Sequence, residues 1–240
     1  MKRVYLDNNA TTQLDPDVRK EITDTLGIYG NASSFHSFGL EAKSRIDSSR
    51  RFISEFLGAS TPEEIIFTSG ASEANNTVLK GVICEGAKCR RLSKRNHIIT
   101  SQIEHPSVLT TCKCIEREGY KVTYIPCDKD GIINPDDIKK SIIKETGLIS
   151  IMLSNNETGT IQPVKEIGII AKENGIPFHT DATQSIGKMD VNVNDLNVDF
   201  LSLSAHKIHG PKGIGVLYIK KGKGFCPLIH GGHHELNRRA

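Results

Sequence analysis

Residues 64–84 read EIIFTSGASEANNTVLKGVIC, and this stretch decides the fold class. Its first four residues, 64–67, are a short apolar β-rich run of the kind found in a buried strand. A glycine-containing turn, 68–73, leads straight into a helical segment, 72–84. A strand that passes through a short turn into a helix is the repeating unit of an α/β sheet.

The same rhythm extends along the chain, with no internal repeat or low-complexity linker. Because the apolar runs are continuous, we predict an α/β fold: about seven strands, mostly parallel and one antiparallel, covered by helices on both faces. A first helix capped by Asp15 marks off an N-terminal segment, 1–15, from a large domain, 16–240. Predicted strands are 64–67, 97–100, 122–125, 148–152, 176–179, 200–203 and 214–219, and predicted helices are 16–27, 40–57, 72–84, 107–118, 135–144 and 164–173.

Composition excludes several classes of protein. The 240 residues are 37% hydrophobic and 25% charged, with a net charge of +3, which is typical of a soluble globular domain. The densest basic run, Lys88–Arg95, is interrupted by uncharged residues and predicts a solvated loop, so no nucleic-acid partner is expected. The start has no apolar signal-peptide core and no stretch reaches membrane-spanning length, so we expect a cytoplasmic protein with no membrane contact.

Cysteines and histidines give no metal-binding pattern. The six cysteines form no CxxC and no zinc-ligand spacing, so they are expected to be reduced thiols. The histidine-rich end, His230–Glu235, contains a glycine pair and lacks the helical i,i+4 spacing of a zinc site. We predict no metal.

Ligands of parallel α/β sheets bind at the carboxyl ends of the strands, so the residues after each strand matter most. The turn 68–73 at a helix N-terminus suits a phosphate, although simple helix capping explains such a turn equally well. His105 precedes a helix-opening proline and can project from its strand end, or can be a surface or capping residue. The polar turn 155–159 also fits ordinary turn chemistry.

The last two strand ends carry charged residues. Asp181 follows an apolar strand, where an unpaired carboxylate is costly, so it needs a cationic partner or several donors, or else it caps a helix. Lys207 directly follows a buried strand; burial lowers the pKa of a lysine and frees its amine for imine formation, whereas the alternative is a surface lysine in a glycine-rich turn. Together, the phosphate-suited turn, the projecting histidine, the aspartate and the lysine are what pyridoxal phosphate (PLP) chemistry requires.

The chain also resembles a family, the NifS-type cysteine desulfurases of the class V aminotransferase group, which are fold-type-I PLP enzymes. The resemblance covers essentially the whole chain, in order. It is carried by residues 5–12 (YLDNNATT), 67–73 (FTSGASE), 104–105 (EH), 155–159 (NNETG), 181–185 (DATQS) and 204–207 (SAHK).

The resemblance implies a role for each matched position. Lys207 would form the Schiff base with PLP and move the proton at the substrate α-carbon, and His105 would stack on the ring and act as an acid–base group. Asp181 would pair with the pyridine nitrogen. The remaining cofactor contacts would be Ala71, Ser72, Ser204, Ala205 and His206 around the phosphate and Asn156 and Gln184 near the ring hydroxyl.

The implied reaction removes sulfur from L-cysteine, giving L-alanine and a persulfide on an enzyme cysteine. A sulfur-acceptor or iron–sulfur scaffold protein would receive that sulfur, and the family implies a homodimer. Family members extend further, into a small domain and a loop that bears the nucleophilic cysteine, so we expect this chain to be truncated and inactive alone. Two alternatives stay open: another class V enzyme, such as a selenocysteine lyase or an aminotransferase, or an inactive PLP-binding fragment.

Overall fold

A single seven-stranded sheet organises the protein. The computed structural model describes residues 3–83, 95–232 and 234–240. The strands are β1 (Ile65–Thr68), β2 (His97–Ser101), β3 (Lys121–Ile125), β4 (Thr146–Ser150), β5 (Phe178–Asp181), β6 (Phe200–Ser204) and β7 (Gly215–Ile219). The helices are α1 (Pro16–Thr25), α2 (Ser37–Leu57), α3 (Ala71–Ile83), α4 (Pro106–Arg117), α5 (Pro135–Ser141) and α6 (Val164–Glu173).

The strand order is β1-β7-β6-β5-β4-β2-β3. Of these seven strands only β7 runs against its neighbours, pairing antiparallel with both β1 and β6, whereas the other pairings of these strands are parallel. The predicted fold class, with one antiparallel strand, is confirmed. Because β4, β5 and β6 are adjacent and parallel, their carboxyl ends meet at one edge of the sheet.

Two hydrophobic clusters cover the two faces of the sheet. One joins Ile149 and Leu201 to apolar residues of α2, α5 and α6, such as Ile167. The other joins Leu148 and Phe200 to α3 and α4. Neighbouring strand residues thus point to opposite faces and are buried on both, as the continuous apolar runs predict.

Several element boundaries follow from local chemistry. The Asp15 side chain accepts the Asp17 N–H at 2.8 Å and caps α1 as predicted. Helix α2 ends at Leu57 and is capped by Gly58, whose φ of 69° suits glycine. β4 ends two residues before the predicted Met152, whose N–H is instead donated to Glu104 at 2.9 Å. β5 begins at Phe178, just after Pro177, which has no N–H for the ladder.

Two buried histidines connect neighbouring strands of the sheet through hydrogen bonds. His179 of β5 lies 2.8 Å from Ser150 Oγ of β4 and 2.9 Å from Ser202 Oγ of β6. His97 of β2 makes the equivalent contacts to Thr146 and Thr123, both at 2.9 Å. Burial lowers the pKa of His179 to about 4, so the ring is neutral and fixes β5 two residues before Asp181.

Three further predictions concern the basic run, the cysteines and the absence of membrane-spanning segments. Except for Arg95, the basic run Lys88–Arg95 lies outside the described residues. Cys226 is disulfide-bonded, so the prediction of reduced thiols is wrong there, whereas Cys112, Cys114 and Cys127 are free. No helix in the described ranges has the length and hydropathy needed to cross a bilayer.

Candidate functional site

A cavity of about 660 Å³ lies at the carboxyl ends of the central strands. It brings together nine of the ten predicted site residues, which the sequence spreads over more than 130 positions. They are Ala71, Ser72, His105, Asn156, Asp181, Gln184, Ser204, His206 and Lys207. Ala205 does not line the cavity. Its side chain faces Gly210 instead: a Cβ added to Gly210 would lie 2.7 Å from the Cβ of Ala205.

Asp181, the last residue of β5, is 6% exposed and lies in the cavity wall. Its Oδ2 accepts a hydrogen bond from Asn75 Nδ2 at 2.7 Å, and its Oδ1 accepts the Thr183 N–H at 3.0 Å. The second contact closes a turn, and no helix begins directly after Asp181 among the described residues, so the alternative that Asp181 caps a helix is not met. Because each carboxylate oxygen can accept more than one donor, these two contacts leave Asp181 able to pair with a cation in the cavity.

Lys207 lies in a short 3₁₀ turn, Ala205–Lys207, directly after β6. Its Nζ donates to the backbone carbonyl oxygens of Asn9 and Ala10 at 2.5 and 2.7 Å. Burial lowers the pKa of Lys207, and the positive charge of Lys188 lowers it further, against the opposing effect of Asp181 and Asp7. A lysine held in a cavity with a lowered pKa has an amine that is more readily available as a nucleophile.

His105 is connected to Asp181 by a chain of hydrogen bonds. Its Nδ1 accepts the Ser107 N–H at 3.1 Å, which makes it the N-cap of α4, and lies 2.8 Å from Ser107 Oγ. Asn75 Nδ2 donates to the same Ser107 hydroxyl at 2.9 Å and to Asp181. The capping alternative for His105 therefore holds together with its place in the cavity wall, and the chain of contacts fixes the ring.

The turn between β1 and α3 forms another wall of the cavity. Gly70 has a φ of 153°, a value that side chains disfavour, and Glu73 Oε2 accepts the Ser69 N–H at 2.8 Å. Gly215 at the start of β7 lets the turn approach closely, since a Cβ there would lie 2.6 Å from Gly70 Cα. The helix dipole and the N–H groups of this turn favour an anion.

The N-terminal segment closes the remaining side. Gln184 Nε2 donates to the Asn9 carbonyl at 2.8 Å, and Gln184 Oε1 accepts from Lys188 at 2.8 Å. His206 Nδ1 lies 3.1 Å from Thr11 Oγ1; burial, followed by the charges of nearby lysines, lowers the pKa of His206. A neutral His206 can accept or donate one hydrogen bond without adding a second charge beside Lys207.

Sequence reasoning missed several residues of this site. Asn75 and Ser107 form the link between His105 and Asp181, while Asn9 and Lys212 line the cavity. An asparagine within the buried face of α3 is a signal that could have identified Asn75, because a buried amide needs partners. Contacts of the N-terminal segment span almost 200 positions and leave no local pattern.

The residues present fit the predicted cofactor. A carboxylate in the wall faces the space in which a pyridinium would lie, and an amine of lowered pKa lines the same cavity. The buried Thr183 Oγ1 has no partner among the described residues, so it is available to a group bound beside Asp181. No group of three or more candidate metal ligands occurs in the ranges that the structure covers, and the absence of a metal stays a prediction.

Comparisons with known proteins give a consistent set of relatives. The family model described as aminotransferase class-V matches residues 4–238. The cysteine desulfurase IscS of Dictyoglomus turgidum is 50% identical over 242 residues, which cover 100% of this chain and 60% of the relative. The chain therefore spans about 60% of the length of curated relatives such as this one.

Solved structures agree with these relatives. A NifS-like protein superposes with a TM-score of 0.94 at 42% identity, covering 100% of this chain and 65% of that one. A structure described as SspA in complex with cysteine has a TM-score of 0.93 at 42% identity, covering 99% of this chain and 67% of the other.

Proposed function

Because this chain belongs to the class V aminotransferase family, we propose that it is the PLP-binding part of a cysteine desulfurase. One observation carries the proposal: Asp181, at the end of β5, and Lys207, just after the adjacent strand β6, line one cavity with the turn before α3. The substrate would be L-cysteine and the products L-alanine and a protein persulfide. The similarity to cysteine desulfurases supports this choice within the family.

The cavity offers a site for each end of the cofactor. At the ring end, Asp181 would pair with the protonated pyridine nitrogen, while Asn75 and Thr183 keep the carboxylate in place. At the phosphate end, the N–H groups of Ala71 and Ser72 would be the donors. Ser204 and His206 would add contacts from the facing strand end; Ala205 between them would contribute no side-chain contact, since it does not line the cavity.

Three further side chains would position the ring. His105, fixed by Ser107, would stack on one face of it, and its imidazole could also exchange a proton with the substrate. Asn156 and Gln184 would bind near the ring hydroxyl from opposite sides. These roles follow from the family resemblance, and the shared cavity supports them.

When bound, PLP supplies an electron sink that stabilises negative charge at the substrate α-carbon. The protein must then hold and move a proton at that carbon. Lys207 is the group for this step, because burial and Lys188 lower the pKa of its amine and bring it closer to neutral pH. Asp181, as an anion, would keep the ring nitrogen protonated.

The sulfur acceptor is a separate part of the proposal. No cysteine in the described ranges lines the cavity; Cys112 is fully buried, and burial raises the pKa of its thiol to about 12. A thiol in that state is a poor nucleophile. The proposal therefore assigns the persulfide to none of the described cysteines and takes the next recipient to be a sulfur-acceptor or iron–sulfur scaffold protein.

A homodimer belongs to the same proposal. Large apolar side chains around the start of α2 are exposed, including Phe35 (95%) and Tyr29 (80%), so further protein surface can cover them. A cytoplasmic location and the division into a segment 1–15 and a PLP-binding domain 16–240 also stay proposals. The docking of Thr12 onto His206, N–H to carbonyl at 2.8 Å, supports treating the segment as part of the site.

The test is the response of the PLP-loaded chain to L-cysteine. We expect L-cysteine to change the visible spectrum of the bound cofactor. We expect L-alanine and a persulfide, which an added thiol reductant releases as sulfide, only from a protein that also supplies the acceptor cysteine. Conversion of the cofactor to pyridoxamine phosphate would instead show an aminotransferase, and turnover of L-selenocysteine alone a selenocysteine lyase. PLP binding with no response to any amino acid would show an inactive fragment, and a chain that binds no PLP would refute the proposal.

A further inference from the structure

Residues 234–240, here called the C-terminal segment, form two ion pairs with the rest of the protein, one with α2 and one with α3. Glu235 binds Arg50 of α2 through two contacts, of 2.9 and 3.0 Å, with side chains 15% and 10% exposed. Arg239 Nε donates to Glu73 Oε1 at 2.5 Å, and Arg239 Nη2 lies 3.3 Å from Glu73 Oε2. In this second pair Glu73 is 9% exposed and Arg239 is 30% exposed. The Arg50–Glu235 pair is therefore the better shielded of the two from screening by water and salt.

The Arg50–Glu235 pair completes the outer edge of β1. Strand β1 is the last in the sheet, so its outward N–H and C=O groups have no neighbouring strand. Glu235 Oε2 accepts the Phe67 N–H at 2.7 Å, and Arg50 donates to the Ile65 carbonyl. The ion pair thus forms the hydrogen bonds that a neighbouring strand would otherwise form with β1, and it fixes the position of the start of the C-terminal segment.

The Arg239–Glu73 pair connects the C-terminal segment to the first turn of α3. Glu73 holds Arg239 mainly through Oε1, while its Oε2 accepts the Ser69 N–H. Burial raises the pKa of Glu73, but the hydrogen bonds from Arg239 and Ser69 outweigh that effect, and the net pKa is lowered. The ionised carboxylate therefore ties the Ser69 backbone to the C-terminal segment.

That backbone belongs to the wall of the cofactor cavity. Ser69 and Glu73 bracket Gly70, Ala71 and Ser72, and all five residues line the cavity. A turn that must present N–H groups to a phosphate loses affinity if it samples other conformations, because ordering it then costs free energy on binding. A bond that holds Ser69 to the first turn of α3 limits that freedom.

We propose that Glu73 and Arg239 are positioning residues for the phosphate end of the cofactor. Arg239 orients the Glu73 carboxylate, and Glu73 in turn holds the Ser69–Ser72 turn in its anion-binding conformation. The inference rests on the proposed function, since it assumes that the anion at this turn is the PLP phosphate. Neither side chain needs to touch the cofactor for this role.

The experiment compares PLP with pyridoxal, which lacks the phosphate, in Arg239→Gln, Arg239→Lys and Glu73→Gln. Arg238→Gln is the matched control, because it removes the same charge one residue away and Arg238 forms no ion pair with a described residue. We expect Arg239→Gln and Glu73→Gln to weaken PLP about tenfold, a difference of about 1.4 kcal/mol, and to leave pyridoxal unchanged. Arg239→Lys should recover part of the loss, and Arg238→Gln should leave the PLP-to-pyridoxal ratio unchanged.

Hydrogen exchange in the cofactor-free chain makes the test independent of PLP. Amides 69–72 should exchange faster in Arg239→Gln than in Arg238→Gln, while amides of the other cavity walls keep their rates. Equal weakening of PLP and pyridoxal, or unchanged exchange at 69–72, would overturn the inference. If the unsubstituted chain binds no PLP, the proposed function fails, but the exchange rates still decide whether Arg239 holds the turn.

Discussion

Two strands of the sheet lead into acidic residues, and the two acids lie in different surroundings. Asp181 ends β5, lines the cavity and has a donor on each oxygen. Glu104 follows β2 and does not line the cavity; its Oε1 accepts from Ser101 and Met152, and its buried Oε2 has no partner in the described part of the chain. Burial raises the pKa of Glu104 to about 8.

The difference shows that an acidic residue at the end of a strand can bind a ligand only if its carboxylate borders a cavity. Asp181 borders a cavity where a cation can pair with it, so its charge can be used. Glu104 has no such space, and burial favours its protonated form at neutral pH. One acid is suited to hold a cofactor and the other to pack the structure beneath His105.

Asp181→Asn tests the first half of this comparison. We expect it to weaken PLP about 1,000-fold, since removing one partner of a buried hydrogen-bonded charge pair costs about 2–5 kcal/mol. Titration of the visible absorbance of bound PLP measures the effect. Glu104→Gln is the matched control and should stay within about twofold of the unsubstituted chain; equal weakening by both would contradict the comparison.

Glu104→Gln tests the second half through the pH dependence of stability. The folded-state pKa of Glu104 is raised, so the native state holds a proton that the unfolded state releases, and stability falls as pH rises from about 4.5 to about 8. Between pH 5 and pH 8 the unsubstituted chain should lose about 3 kcal/mol more than Glu104→Gln. Urea unfolding of the cofactor-free proteins at several pH values measures this, and parallel curves would show that Glu104 is already ionised.

Asn75→Ala removes one of the two hydrogen-bond donors of the Asp181 carboxylate and neither of the two donors of Glu104. The substitution leaves the Asp181 carboxylate with one fewer partner and separates it from Ser107, at a cost of about 1 kcal/mol or about fivefold in PLP affinity. Asn76→Ala, on the same helix but bonded to Ser72 and Thr111, is the control. A larger loss in Asn76→Ala than in Asn75→Ala would argue that the effect comes from α3 as a whole.

Local pattern predicted most of the fold. The strand–turn–helix unit around Gly70 lies where the sequence places it, and α6 matches its predicted range. Boundaries moved where one hydrogen bond took the place of another, as at Met152, whose N–H goes to Glu104 instead of to the ladder. The helix α5 ends at Ser141, three residues early, because Ile142 is extended.

The site could be predicted only in part, for a physical reason. Asp181 and Lys207 stand out because charged residues at buried strand ends are costly and so have local signals. The carbonyl groups of Asn9 and Ala10 that bind Lys207 carry no side-chain pattern, and their contacts span 198 and 197 positions. The Arg239–Glu73 pair likewise depends on the chain returning to α3 near its end.

The assignment of Lys207 as the lysine that binds PLP can be tested by mapping the lysine that carries the cofactor. Borohydride treatment of the PLP-loaded chain fixes the lysine–cofactor link as a stable secondary amine, and peptide mass spectrometry then locates it. We expect the cofactor on Lys207, no covalent label in Lys207→Ala, and an undiminished label in Lys212→Ala; Lys212 lines the same cavity. Label on Lys212 or Lys188, or label retained in Lys207→Ala, would contradict this assignment.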